Sequence, residues 1–99
     1  MSTYYVDDVG TEIVVDTKTE IGNASVHNLL LRKPSGKEVT WVGGLGPVDA
    51  IGRHTTISYI VKSGDWDEPG WWSLQSYVEL GGWHGKGSTA KFELKPKFK

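Results

Sequence analysis

Residues 64–80 of this chain, GDWDEPGWWSLQSYVEL, constrain the fold more than any other stretch. Asp65, Asp67, Pro69 and Gly70 are turn chemistry: proline presets φ, glycine permits positive φ, and aspartate bonds nearby backbone. After Gly70 the sequence turns to a period of two. Trp72, Leu74, Ser76, Val78 and Leu80 share one face, and Trp71, Ser73, Gln75, Tyr77 and Glu79 share the other. The first face is apolar apart from one small hydroxyl and is assigned to a core. The second is polar with large rings, which suits solvent or a partner. A long half-buried strand satisfies this pattern, and the other strands must build against it.

The rest of the chain alternates in shorter pieces. Tyr4 to Val6 reads as a short lead-in, and Glu12 to Asp16 as a strand with Ile13 and Val15 on one face. A polar connection follows, with Ile21 as a core plug. Ser25 to Lys33 is a strand in which a one-residue slip exchanges the faces; Leu29 and Leu31 are placed inward and Leu30 outward, on a possible contact surface. Pro34 to Lys37 is a hairpin turn, and Glu38 to Val42 returns with Val39 and Trp41 facing in. Residues 43–53, GGLGPVDAIGR, read as a long irregular loop of the kind that is often functional. Thr55 to Lys62 places Ile57, Tyr59 and Val61 on one face. Gly81 to Gly85 reads as a turn with Trp83 at its tip. Gly87 to Leu94 is the last strand, with Ala90, Phe92 and Leu94 inward, and residues 95–99 form a basic tail.

No segment carries a sustained helical stripe, and no connection carries a helix that would require parallel strands. Six to seven short strands, with turn signals at intervals of roughly 8–12 residues, predict a single all-β domain over residues 1–99, an antiparallel β-sandwich. Residues 1–10 form its lead-in. Immunoglobulin-like folds place an aromatic corner ahead of a late strand. The spacing of Asp67 and Gly70 ahead of Trp72, with Leu74 and Ser76 following inward, agrees with that topology. The chain has no cysteine, so it lacks the disulfide of antibody domains and any thiol chemistry.

Charge is balanced, with 11 basic and 12 acidic residues, unlike the basic footprint of a general nucleic-acid binder. The opening MSTYYVDDVG lacks the basic start and apolar run of a secretory signal. No apolar run approaches the ~18 residues of a membrane-spanning helix. The absence of cysteine fits a reducing compartment. Neither nucleic acid nor membrane is therefore expected as a partner.

Together, DVGTEIVVDT, the KPSGKEVTW hairpin and SGDWDEPGWWSLQSYVELGGWHGKG resemble small bacteriophage virion proteins with immunoglobulin-like, baseplate-upper-protein-like β-sandwiches. The most specific part is the D-x-P-G-x-W-x-L-Q-x-Y-V-E run from Asp67 to Glu79. The resemblance spans roughly Tyr4 to Leu94 and departs at the 43–53 loop and at the doubled Trp71-Trp72. It implies a structural or accessory protein of a tailed-phage particle, as capsid decoration or as a tail or baseplate adaptor. Such a chain is made in the host cytoplasm, is present in multiple copies in the virion and binds other virion proteins. No catalytic residue comes with it.

The residues themselves add no catalytic constellation. His27, His54 and His84 fall in three separate segments without metal-ligand spacing. Asp65, Asp67 and Glu68 do not match a calcium loop. The G-x-G-x-x-A match from Gly85 to Ala90 runs into a strand rather than opening a helix, so it is not a dinucleotide fingerprint. Asp65 and Glu79 do not amount to a glycosidase pair without a cleft. No cofactor or metal is expected, and no enzymatic activity. The candidate partner-binding residues are Trp66, Trp71, Tyr77 and Trp83, with Leu45, Val48 and Ile51 of the long loop. If Trp41 and Trp72 fill the core, the remaining tryptophans are left for contact. A second function class, a carbohydrate-binding module, would use Trp66, Trp71 and Trp83 as a stacking platform. Lys91, Lys95, Lys97 and Lys99 make a positive patch that either guards an edge or forms an arm ordering on a neighbour.

Overall fold

A computed structural model describes residues 4–98, all β and without a helix. Residues 1–3 of the lead-in and Lys99 of the basic tail lie outside the described residues. Nine strands are described: β1 Tyr4–Tyr5, β2 Glu12–Asp16, β3 Val26–Arg32, β4 Glu38–Val42, β5 Gly44–Leu45, β6 Thr56–Ile60, β7 Gly70–Leu80, β8 Trp83–Lys86 and β9 Ala90–Lys95. They form two sheets. The larger runs β1-β9-β7-β3-β4, with β8 also on β7, and the smaller runs β2-β6-β5.

The predicted spine holds. β7 spans 11 residues, and Trp72, Leu74, Ser76 and Val78 are buried along one face. The smaller sheet supplies Ile57 and Tyr59 from β6, and Ile13 and Val15 of β2 pack against the same core. Trp41 of the larger sheet stacks on Tyr59 of the smaller, with centroids 4.5 Å apart. Trp72 lies beside Trp41 and stacks on Phe92. The ambiguous strand adopts the inward placement of Leu29 and Leu31, opposite Ser76 and Leu74 of β7. Leu30 is half-buried rather than exposed.

Four expectations are corrected. First, the larger sheet is mixed, not wholly antiparallel, because β1 pairs with β9 in parallel. The lead-in reaches that edge from outside the β7 ladder, so no helical crossover is needed. Second, the 43–53 segment is not wholly irregular. Gly44 and Leu45 form β5, which pairs with β6 in the smaller sheet. The chain therefore passes from one sheet to the other at a single buried residue, Gly43. A Cβ there would strike Ile57 Cγ2 and crowd the carbonyls of His27 and Ser58 at 3.2 and 3.3 Å, so only glycine fits the corner. Third, the turn after β7 is only Gly81-Gly82, and Trp83 to Lys86 return as strand β8. Fourth, Ala90 keeps the inward phase but is exposed at the start of β9, opposite Leu74, while Leu94 is fully buried.

The turn before β7 is tied to its surroundings by polar contacts. Asp65 accepts hydrogen bonds from the Tyr59 hydroxyl at 2.6 Å and the Lys62 amide at 2.8 Å. Burial, reinforced by that carboxylate, pushes the Tyr59 phenol up to about 12. Trp72 Nε1 donates to the Glu68 carbonyl at 3.0 Å. The Glu68 carboxylate accepts from the amide and hydroxyl of Ser35 in the β3–β4 turn. Lys33, which shares the inward phase of Leu29 and Leu31, is only 8% exposed; its ammonium meets Asp67 at 2.8 Å and lies 5.8 Å from the Trp72 ring centroid. The aliphatic stem thus extends core packing while the ammonium keeps a partner.

Two outcomes follow. Trp72→Ala should cost about 3–5 kcal/mol and Trp71→Ala under about 0.5 kcal/mol, measured by urea unfolding; equal costs would refute the facing. Asp67→Asn should cost about 1–3 kcal/mol, below the figure for a fully buried pair because Asp67 is 46% exposed, and Lys33→Met should cost less than Asp67→Asn. The Lys33 hydrogen bond holds the Asp67 carboxyl below its ordinary range. Its contribution is therefore present above about pH 4 and lost as pH falls through the lower folded value, so Asp67→Asn should flatten the acid limb of the stability profile.

Candidate functional site: the outer face of the larger sheet

Cross-strand register decides which side chains meet on the outer face. On the β9 side, Trp71 faces Glu93 and Ser73 faces Lys91. On the β3 side, Ser73 faces Arg32, Gln75 faces Leu30 and Tyr77 faces Asn28. Further out, β4 sets Thr40 opposite Leu30 and Glu38 opposite Arg32. On β8, Lys86 faces Tyr77 and His84 faces Glu79. These rows surround a concavity of about 550 Å³ whose lining includes Arg32, Glu38, Thr40, Ser73, Gln75, Lys86, Thr89 and Lys91.

A β-bulge creates this arrangement. β8 and β9 pair with the same edge of β7, one after the other. Tyr77 is opposite Lys86 and Leu74 is opposite Ala90, so Gln75 and Ser76 on β7 face Gly87, Ser88 and Thr89 on the returning chain. The extra residue shifts the phase by one. Before the bulge even-numbered residues point outward, and after it odd-numbered ones do. Lys86 and Lys91, five positions apart, would lie on opposite faces of a regular strand; here they share the outer face. The same shift turns Phe92 and Leu94 into the core. The Gly87 amide donates to the Ser76 carbonyl at 3.1 Å, and the Gln75 side-chain amide donates to the Gly87 carbonyl at 3.0 Å.

Electrostatically the concavity is positive. Arg32 is paired with Glu38 at 3.0 Å. Neither Lys86 nor Lys91 has a carboxylate partner among the described residues; Lys86 lies 5.9 Å from the Tyr77 ring centroid. Tyr77 donates its hydroxyl to Glu79 at 2.7 Å, and that bond raises its phenolic pKa.

The residues singled out in the sequence are scattered by the fold. Trp66 is not a contact residue: it is 2% exposed, packed between Tyr4 and Phe92. Burying Trp41 and Trp72 leaves room for a third indole because the core continues under the turn preceding β7. Trp66 Nε1 lacks an acceptor among the described residues, and the ring borders a second cavity, of about 340 Å³, beside β2. Trp71 is 61% exposed on the outer face. Trp83 is 53% exposed, but it is opposite Leu80 and so in the inward phase, with its ring over Gly85. The two exposed rings thus lie on opposite faces, at positions of β7 roughly 30 Å apart. Trp66, Trp71 and Trp83 do not form one platform. In the 43–53 segment Leu45 packs on the core, while Val48 and Ile51 are exposed. Asp49 closes that loop by accepting from the amides of Ile51 and Arg53, and these bonds, the Arg53 amide's foremost, lower its pKa. None of the three residues lines the concavity.

The imidazoles of His27 and His54 contact the carbonyls of Gly43 and Gly46, at 2.7 and 2.9 Å, as struts of the sheet-switching segment. No group of three or more His, Cys, Asp or Glu side chains is placed to hold a metal among the described residues. Gly85 to Ala90 runs strand–bulge–strand, so no helix N-terminus is available there to cradle phosphate. Among the described residues no helix is long and apolar enough to cross a membrane.

The sequence marked Lys91 only within the C-terminal positive patch, Lys86 and Thr89 only within the rejected G-x-G-x-x-A match, and Arg32 and Thr40 not at all; it did not bring the five together as a site. The available signal was Gly87 close behind Gly85, since glycine inside a strand pattern often marks a bulge. A Cβ on Gly87 would strike Ser76 Oγ, whereas the Ser76 Cβ stands 3.7 Å away, an ordinary contact. Gly87→Ala should therefore cost about 1–3 kcal/mol in the native background and much less when combined with Ser76→Ala. An equal loss in both backgrounds would place the strain in the backbone instead.

Compared with models of protein families, with curated proteins and with solved structures, the chain finds no match.

Proposed function

We propose that this chain is a non-enzymatic structural protein of a tailed-phage particle, an immunoglobulin-like sandwich that binds other virion proteins through the outer face of its larger sheet. The observation that carries the reading is the concave face itself. Its side chains stand on strands hydrogen-bonded in register, so little conformational freedom is lost when a partner docks. Trp71, an exposed ring two residues from the groove residue Ser73, is the natural anchor, because aromatic residues dominate the energetics of protein interfaces. The resemblance of Asp67 to Glu79 to small virion proteins supplies the setting. Two sheets closed on one core, with a buried Trp72 held by the turn before it, accord with the immunoglobulin-like reading.

Val48 and Ile51 offer a separate apolar contact at the loop tip. Repeated copies in one particle would let each such surface act many times.

A second reading, carbohydrate attachment, is favoured by one specific feature. Trp71 adjoins a groove whose Ser73, Gln75, Thr40 and Thr89 offer hydroxyls and an amide. It no longer involves Trp66 or Trp83.

Mass spectrometry of gradient-purified particles should find the chain at stoichiometric abundance. Trp71→Ala should weaken its re-association with stripped particles about 30-fold, the effect of losing about 2 kcal/mol at an interface anchor. Absence of the chain from purified particles would overturn the structural reading. Glycan binding by the free protein that is abolished by Trp71→Ala would put the carbohydrate reading in its place.

A further inference from the structure

We infer that the groove on the outer face takes an extended acidic segment of a partner protein, aligned along β7. The inference rests on the proposed protein-binding role of that face and names the chemistry of the partner.

Three features of the groove lead there. Its charge is the first: Lys86 and Lys91 line it without carboxylate partners among the described residues, and Arg32 adds a cation already joined to Glu38. With three cations against one carboxylate the groove is positive, although the whole chain carries a formal charge of −1. The charge is therefore local and suits a local anionic partner. The spacing is the second. Lys91 is opposite Ser73 and Lys86 is opposite Tyr77, four residues further along β7. That separation is roughly 13 Å of strand, the span between carboxylates at positions i and i+4 of an extended chain. The third is the neutral lining between the cations. Ser73, Gln75, Thr40 and Thr89 can hydrogen-bond the backbone of such a chain without favouring a sequence.

The bulge is what makes the site. Were these same residues threaded as a regular strand with no bulge, the two lysines, five positions apart, would project from opposite faces and no single ligand could meet both. The Gln75 amide bound to the Gly87 carbonyl holds the bulge at the floor of the groove.

The test uses the full-length protein and a fluorescein-labelled peptide of alternating Glu and Thr, titrated by anisotropy at low and at physiological salt. Binding is expected at low salt and should weaken as screening increases. Lys86→Gln with Lys91→Gln should weaken it about tenfold, the loss of two modest charge contacts. Lys62→Gln with Lys97→Gln, two exposed cations outside the groove, should leave it unchanged. With both peptides eight residues long, a control of the same composition whose four glutamates are contiguous, and which therefore has no i, i+4 carboxylate pair, should bind less well. No binding at low salt, or equal weakening by both lysine pairs, would overturn the inference. So would a heparin oligosaccharide outcompeting the peptide, which would assign the groove to an anionic glycan. If the groove fails these tests while the chain is found in particles, the structural role stands and only the partner chemistry falls. If the peptide binds as expected and the chain is absent from particles, the groove stands and the virion role falls.

Discussion

The structure depends on one strand being hydrogen-bonded along both edges and two-faced along its length. β7 pairs with β3 on one side and with β8 and then β9 on the other. Its inward side chains can be dry only if both neighbours keep register, since a slip of one residue would exchange every face. Burial of Trp72 and Leu74 supplies the free energy that enforces this register, at roughly 25 cal/mol per Å² of apolar surface removed from water. The smaller sheet then closes the core through Tyr59 on Trp41 and Ile57 beneath.

Register on the second edge of β7 is kept by a defect. A regular return from Trp83 to Lys95 would put Phe92 and Leu94 into water. The single extra residue at the Gly87–Thr89 segment corrects the phase, leaving Lys86 outward before it and Lys91 outward after it. A glycine is needed where the bulge presses on Ser76. The same defect therefore completes the core on one face and gathers the positive groove on the other. Function in this reading is a by-product of a packing solution, which is a common position for β-bulges.

The polar tie around the turn before β7 works in the same direction. Lys33 continues the inward phase of β3 beyond the last apolar residue, and its ammonium is held by Asp67 from the turn. Ser35 meets Glu68 across the same gap. Together these contacts fix the β3–β4 hairpin against the start of β7, so the rows that line the groove keep their alignment.

Alternation alone determined a good deal about this protein. It located β2, β3, β4, β6, β7 and β9 to within a few residues. It also set the inward faces of β7, β4 and β6, because a period of two is a local property that burial simply ratifies. What it could not supply were events set by long-range contact. The sheet switch at Gly43 depends on Ile57 and the carbonyls of His27 and Ser58, all distant in sequence. The fate of the tryptophans depended on how far the core extended: Trp66 and Trp72 stand on either side of one turn, and both found room inside. Trp71 and Trp83 were separated by the facing and length of β7. The parallel pairing of β1 with β9 joins the two ends of the chain, a closure no local pattern encodes. The groove was legible only as the polar face of β7. Its cations arrived from β3 and from the returning strands, brought to one side by a shift in register that only the assembled ladder could define.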